Sequence, residues 1–232
     1  MPDTNIKNLQ IVASGLGNLK NNMVFVGGAV AELYADNPAA SDIRLTMDVD
    51  CVAEIVSKLD YYKLEAELRS KGFMNDTTQG APICRWVYKG IKVDVMPADL
   101  KVMGFSNIWY EGGIENRIQK TLPDGQRISI FSPAYYLASK FEAHKGRGGI
   151  DLRQSKDFED IIYIIYNCSN LFENIANAGC SVIAYLKKEF RALLENPNIV
   201  EGIETALPYD ADSNSIELVT EIIEKIAGIM LE

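Results

Sequence analysis

The tightest constraint on this chain is a strand-sized apolar run, Met23 to Val26, that stops at Gly27-Gly28 and is followed further on by Asp48-x-Asp50. A short run with no polar position suits a strand buried on both faces. The paired glycines let the backbone turn where a side chain would obstruct it. Ala29 to Ala35 reads as a helix, whose free N–H groups would line the turn and could receive an anion. Alone, this corner is an ordinary strand-to-helix turn. The segment Arg44-Leu-Thr-Met-Asp-Val-Asp-Cys51 changes its meaning. If Leu45 to Val52 is a strand, Asp48 and Asp50 share one face, because side chains alternate along a strand. Two carboxylates fixed side by side repel each other, which is hard to explain as scaffolding and suits a divalent cation. Thr46 falls on the same face, either as a hydroxyl for phosphate or simply as a good strand former.

Ile83 to Tyr88 and Ile91 to Met96 flank Lys89-Gly90 and read as a hairpin. Val93 and Val95 then face one way, Lys92 and Asp94 the other. A surface ion pair between Lys92 and Asp94 is the simpler account, and such pairs contribute little. Beside Asp48 and Asp50, however, Asp94 becomes a third carboxylate. Three carboxylates from two strands, next to a glycine turn, describe a two-metal phosphoryl-transfer site. Asp99 is either a fourth acid or turn chemistry after Pro97.

Gly27-Gly28, Asp48-x-Asp50 and Lys92-x-Asp94 resemble the nucleotidyltransferase superfamily of DNA polymerase β-like folds. The closer resemblance is to its abortive-infection (AbiEii-type) branch, found in bacterial toxin–antitoxin systems. That branch adds a leucine-rich helix with a lysine, then an arginine, then an Asp-x-x-Asp helix. Here stand Tyr136-Leu-Ala-Ser-Lys140, Arg147 and Asp157-Phe-Glu-Asp160, so the resemblance spans residues 23 to 165.

The resemblance implies an α+β protein: a nucleotidyltransferase-type mixed β-sheet flanked by helices, followed by a helical C-terminal region. The catalytic core would be residues 1–131 and the helical domain residues 132–232. It also implies transfer of a nucleoside monophosphate from an NTP to an acceptor hydroxyl on RNA or a tRNA end, a protein or a small molecule. Asp48, Asp50 and Asp94 would bind two Mg²⁺ (or Mn²⁺) ions, with Lys92 among the catalytic residues. Gly27 and Gly28 would hold the β- and γ-phosphates, with Thr46, Lys140 and Arg147 as further nucleotide contacts. Asp157 and Asp160 would orient Lys140 or Arg147; their simpler role is acidic charge complementing a helix N-terminus. An antitoxin protein is an implied partner. The chain departs from the commonest pattern by having glycine, not serine, at position 28, which removes a hydroxyl that Thr46 would have to replace. Two competing readings stand beside this one: a nucleotide-binding module without turnover, and a metal-dependent phosphohydrolase using the same acids with water as acceptor.

The remaining features narrow the field. A formal net charge of −9 argues against a molecule-wide trap for nucleic acid. Four scattered cysteines read as buried thiols rather than a disulfide frame or zinc site, and the single histidine, His144, excludes a histidine-rich metal centre. His144 reads as a polar surface or core residue. No apolar run approaches the ~18 residues of a membrane span, and the chain opens on no targeting signal, so a soluble cytoplasmic protein is expected. Further helices are expected over Ile6–Leu19, over a segment capped by Ser57 or Asp60 and closed by Gly72, and after Ser132-Pro133. Pro123-Asp-Gly125 marks a hairpin turn. The glycines at 146, 148 and 149 suggest a loop, residues 36–41 a polar loop, and residues 201–215 an exposed acidic connector before a last helix at 216–231.

Overall fold

A computed structural model describes residues 4–36, 44–55, 57–147 and 151–230. The protein is α+β, a seven-stranded mixed sheet with flanking helices and a helical C-terminal region. It forms two compact units, Met1–Glu32 with Arg44–Phe131, and Leu33–Ile43 with Ser132–Glu232.

In the first unit, helix α1 (Asn5–Leu16) is capped by Thr4, whose side chain accepts from the Lys7 N–H. It stops short of the expected Leu19 because Gly17 takes φ 55°, and a 3-10 turn follows over Gly17–Asn22. Strand β1 (Met23–Val26) is buried at all four positions, as its composition requires. Strand β2 is Asp48–Ala53, β3 Met74–Asn75, β4 Arg85–Tyr88, β5 Ile91–Pro97, β6 Arg117–Thr121 and β7 Arg127–Phe131. The sheet order is β3-β4-β5-β2-β1-β7-β6. β2 therefore lies between β1, to which it is antiparallel, and β5, to which it is parallel.

Two turns enforce this register. Lys89 (φ 49°) and Gly90 (φ 82°) are both left-handed, the requirement of a two-residue hairpin whose twist matches its strands. Gly125 (φ 83°) closes the β6–β7 hairpin. Helix α2 (Lys58–Ser70) is capped by Ser57, whose hydroxyl accepts from the Asp60 N–H. The short helices α3 (Leu100–Met103) and α4 (Tyr110–Glu115) fill a segment that the sequence left unassigned in part.

In the second unit, helix α5 (Pro133–Gly146) begins at its proline, and α6 (Lys156–Asn167) follows. Next come α7 (Leu171–Ala176), α8 (Cys180–Leu194), α9 (Ile199–Ala206) and α10 (Ser213–Ala227). Their apolar stripes bury Phe158, Ile161, Ile165, Leu186, Phe190, Val219 and Ile223, and Phe141 meets Phe190 edge-on at 5.0 Å. Leu33 to Asp36 packs with these helices: the Tyr34 and Tyr136 rings lie 4.8 Å apart, and Asp36 accepts from the Ser169 N–H at 2.7 Å.

Several expectations are corrected here. Residues 44–46 precede the strand, which begins only at Asp48. The segment after the glycines is a seven-residue 3-10 helix, Gly28–Tyr34, not an α-helix. The connector expected at 201–215 is partly helical: α9 runs through it to Ala206, with Gly202 and Ile203 buried in the unit's core, and α10 begins at Ser213. Cys180 is exposed, unlike the other three thiols. Most of the loop expected at 36–41, and Gly148 and Gly149, lie outside the described residues.

Candidate active site

Alternation along β2 buries Val49 and Cys51 completely and leaves Asp48 and Asp50 on the opposite face, half-buried. The β2–β5 register sets Asp50 directly beside Asp94 and Asp48 beside Lys92. Asp94, flanked by the fully buried Val93 and Val95, is itself buried. One carboxylate oxygen from each of Asp48, Asp50 and Asp94 lies within 4.8 Å of the others. At that separation each pair of like charges costs on the order of 3 kcal/mol at an effective dielectric of ~20. A cation is what relieves such a cluster. The donor set, all carboxylate oxygen and no thiolate or imidazole, suits a hard divalent ion, and these three residues can hold one.

The glycine corner belongs to the same place. The β1–β2 register brings Val26 opposite Asp50, so the chain turns at Gly27 directly against that carboxylate. Gly27 has φ 73°, and a Cβ built there would lie 1.9 Å from Asp50 Oδ2. Only glycine permits both the turn and the contact. Gly28 opens the 3-10 helix, which supplies a short stretch of backbone N–H groups rather than the dipole of an α-helix.

Arg85 is the residue that sequence reasoning missed. Its Nε and one terminal nitrogen donate to the two oxygens of Asp94 at 2.7 Å each, and that terminal nitrogen also lies 3.4 Å from Asp48 Oδ2. The paired hydrogen bonds to Asp94 outweigh burial and raise the guanidinium's pKa further above its ordinary value. The signal was present: once Lys89-Gly90 is the two-residue turn, Tyr88 faces Ile91 and Arg85 must face Asp94. Asp94 thus pairs with Arg85, not with Lys92 as the surface-pair reading had it, and Lys92 is exposed. Burial, reinforced by the charges of Asp50 and Asp94, pushes the Cys51 thiol well up. Cys84 is raised to about 11 by burial and by Asp94. Both thiols stay protonated at neutral pH and are poor ligands.

Thr46 does not extend the strand face. Its N–H donates to Asn5 Oδ1 at 2.9 Å, and its hydroxyl lies 3.0 Å from the Asp48 carbonyl oxygen and 3.3 Å from Asn5 Oδ1. The buried Asn5 also donates to the Arg44 carbonyl at 3.0 Å, so it fastens the lead-in to β2. Thr46 serves that fastening and lies outside the strand, which corrects its expected place on the strand face. Asp99 caps α3, accepting from the Lys101 N–H at 2.8 Å, and so is turn chemistry. A cavity of about 460 Å³ lined by Leu19, Met23, Ile55 and Leu64 opens at the other ends of β1 and β2, away from the acids.

The second unit holds the remaining candidates. Lys140 is buried, and its ammonium lies 3.2 Å from Asp157 and 2.5 Å from Asp160, both buried. Arg147, at the end of α5, reaches Asp157 at 2.5 Å with its side chain 71% exposed. Asp157 thus engages both cations and Asp160 engages Lys140. An ammonium held between two carboxylates pins α5 to α6, while the Arg147 side chain stays mostly exposed. His144 is a core residue, its Nδ1 2.6 Å from the Ser155 hydroxyl.

No protein-family model matches the chain, and no curated protein does either.

Proposed function

We propose that this protein is a Mg²⁺-dependent nucleotidyltransferase that moves a nucleoside monophosphate from an NTP to an acceptor hydroxyl. One observation carries the reading: Asp48, Asp50 and Asp94 converge within 4.8 Å beside the glycine corner. Asp48, Asp50 and Asp94 would hold the ions. Bound there, such ions lower the pKa of the acceptor hydroxyl and neutralise the triphosphate and the departing pyrophosphate. The acceptor hydroxyl gives its proton to solvent as its oxygen attacks the α-phosphorus, and the bond from phosphorus to the oxygen bridging to the β-phosphate breaks as pyrophosphate leaves.

The chain's own residues do the positioning. β2 and β5 fix the three carboxylates on adjacent strands, so no loop ordering is required to assemble them. Gly27, without a side chain, lets backbone N–H groups approach the β- and γ-phosphates. Lys140 and Arg147 enter as nucleotide contacts from the resemblance alone; within their own unit both are held by Asp157, and Lys140 also by Asp160. The net charge of −9 favours an acceptor gripped locally, such as an RNA or tRNA end, a protein hydroxyl or a small molecule, over a long nucleic-acid footprint. Membership of the AbiEii-type branch, and an antitoxin partner, rest on the order of the motifs.

The test is incubation with Mg²⁺ and each α-labelled NTP, with and without total RNA. Label on RNA, protein or an added small molecule, with pyrophosphate released, is the expected result. Asp48→Asn, Asp50→Asn and Asp94→Asn should each lower the rate by about 100-fold or more. Free nucleotide as the only product would favour the phosphohydrolase, and NTP binding without turnover the binding module. An Asp48→Asn/Asp50→Asn variant with full activity would end the proposal.

A further inference from the structure

We infer that Arg85 is the resident counter-cation of the acidic cluster, which an incoming divalent ion must displace, so that Arg85 sets the metal concentration at which the site loads. The inference rests on the metal-binding reading of Asp48, Asp50 and Asp94. One terminal nitrogen of Arg85 lies 2.7 Å from Asp94 Oδ2 and 3.4 Å from Asp48 Oδ2, and so bridges two of the three carboxylates. Asp48 and Asp94 are two of the three residues whose carboxylates an ion would bind. The guanidinium and an incoming ion compete for the same carboxylates, and their mutual repulsion weakens the hold of each.

The two contacts are unequal. Asp94 is gripped by a pair of short, parallel N–H···O bonds, the geometry in which guanidinium and carboxylate bind most strongly. The link to Asp48 is a single longer contact, and the Asp48 side chain is 37% exposed against 11% for Asp94. The Asp48 contact therefore yields first. Arg85 can then keep its Nε bond to Asp94 Oδ1 while Oδ2 turns to the ion. Nothing in the backbone has to move, since Arg85 and Asp94 are register partners on β4 and β5.

Mn²⁺, alone and without nucleotide, is the probe, with free ion counted by paramagnetic resonance. Arg85→Gln removes the charge and should bind Mn²⁺ about ten-fold more tightly than the unmodified protein; Arg85→Lys keeps the charge and should stay within about three-fold of it. Arg85→Gln binding Mn²⁺ equally or more weakly, while Asp48→Asn abolishes binding, overturns the inference and leaves the metal site intact. Asp48→Asn binding like the unmodified protein overturns the metal site and the inference with it. A second measurement needs no variant: titration of the unmodified protein with Mg²⁺ should shift the nitrogen resonance of the Arg85 side chain in step with metal uptake. A resonance that stays fixed at saturating Mg²⁺ also refutes displacement.

Discussion

Replacing Gly27 by alanine tests whether the glycine corner and the acidic cluster are one construction. Gly27 has φ 73°, where an L side chain costs about 1 kcal/mol. A methyl group there would lie 1.9 Å from Asp50 Oδ2 and 2.8 Å from its Cγ. To regain van der Waals distance the carboxylate must retreat by about 1.5 Å. Turning a side chain that far off its staggered well adds roughly 0.5–1.5 kcal/mol. The total, about 2 kcal/mol, corresponds to a melting midpoint lower by roughly 4–8 °C for a chain of this size. Gly125→Ala is the control, since Gly125 has φ 83° with nothing within 4 Å of the added methyl. It should show the backbone cost alone, about 1 kcal/mol. Urea unfolding of both variants, repeated in an Asp50→Ala background, isolates the contact. The excess cost of Gly27→Ala should vanish there, giving a coupling of about 1 kcal/mol. On the proposed reading, moving the Asp50 carboxylate by more than 1 Å should also cost about 100-fold in transfer rate. If Gly27→Ala costs no more than Gly125→Ala, and the same with or without the Asp50 carboxylate, the argument from close approach is wrong.

Three further expectations concern the ion pairs and the thiols. Lys140→Met leaves Asp157 and Asp160 buried without their shared ammonium and should cost about 3–5 kcal/mol in urea unfolding. Arg147→Ala, removing a mostly exposed partner of Asp157, should cost under about 1 kcal/mol; equal losses from the two would refute the assignment of Lys140 as the pin. Among the four thiols, Cys180 alone is exposed, so iodoacetamide at pH 8 should label Cys180 first, as peptide mapping would show. Burial and the Asp94 charge raise Cys84 from 9.0 to about 11, so the folded protein keeps a proton that the unfolded chain releases. Its contribution to stability is complete below pH 9 and is lost as pH rises toward 11. Urea midpoints between pH 8 and 10.5 should therefore fall more steeply for the unmodified protein than for Cys84→Ala, and parallel slopes would contradict this.

Much of the fold and of the candidate site was legible because it depends on local rules. The uninterrupted apolar character of Met23 to Val26 marks a central strand, and Lys89-Gly90 dictates a tight hairpin. Alternation places Asp48 and Asp50 on one face wherever that strand lies in the sheet. Arg85 was legible in principle, through the turn that sets it opposite Asp94. Thr46 was misread because period-two alternation does not mark where a strand begins. Asn5, far away in the chain, holds residues 44 to 46 off the sheet.

What the sequence by itself determined is therefore the set of local conformations and the side-chain faces: the strands, the glycine turn and the shared face of two aspartates. What only the tertiary structure decided is which strands are neighbours and in what register. Placing β2 between β1 and β5 set Asp50 beside Asp94 and against Gly27, and packing of α5 on α6 enclosed Lys140 between two acids. The physical reason is that alternation and turn geometry act over a few residues. Strand order and helix packing are fixed by which apolar faces of distant segments exclude water together.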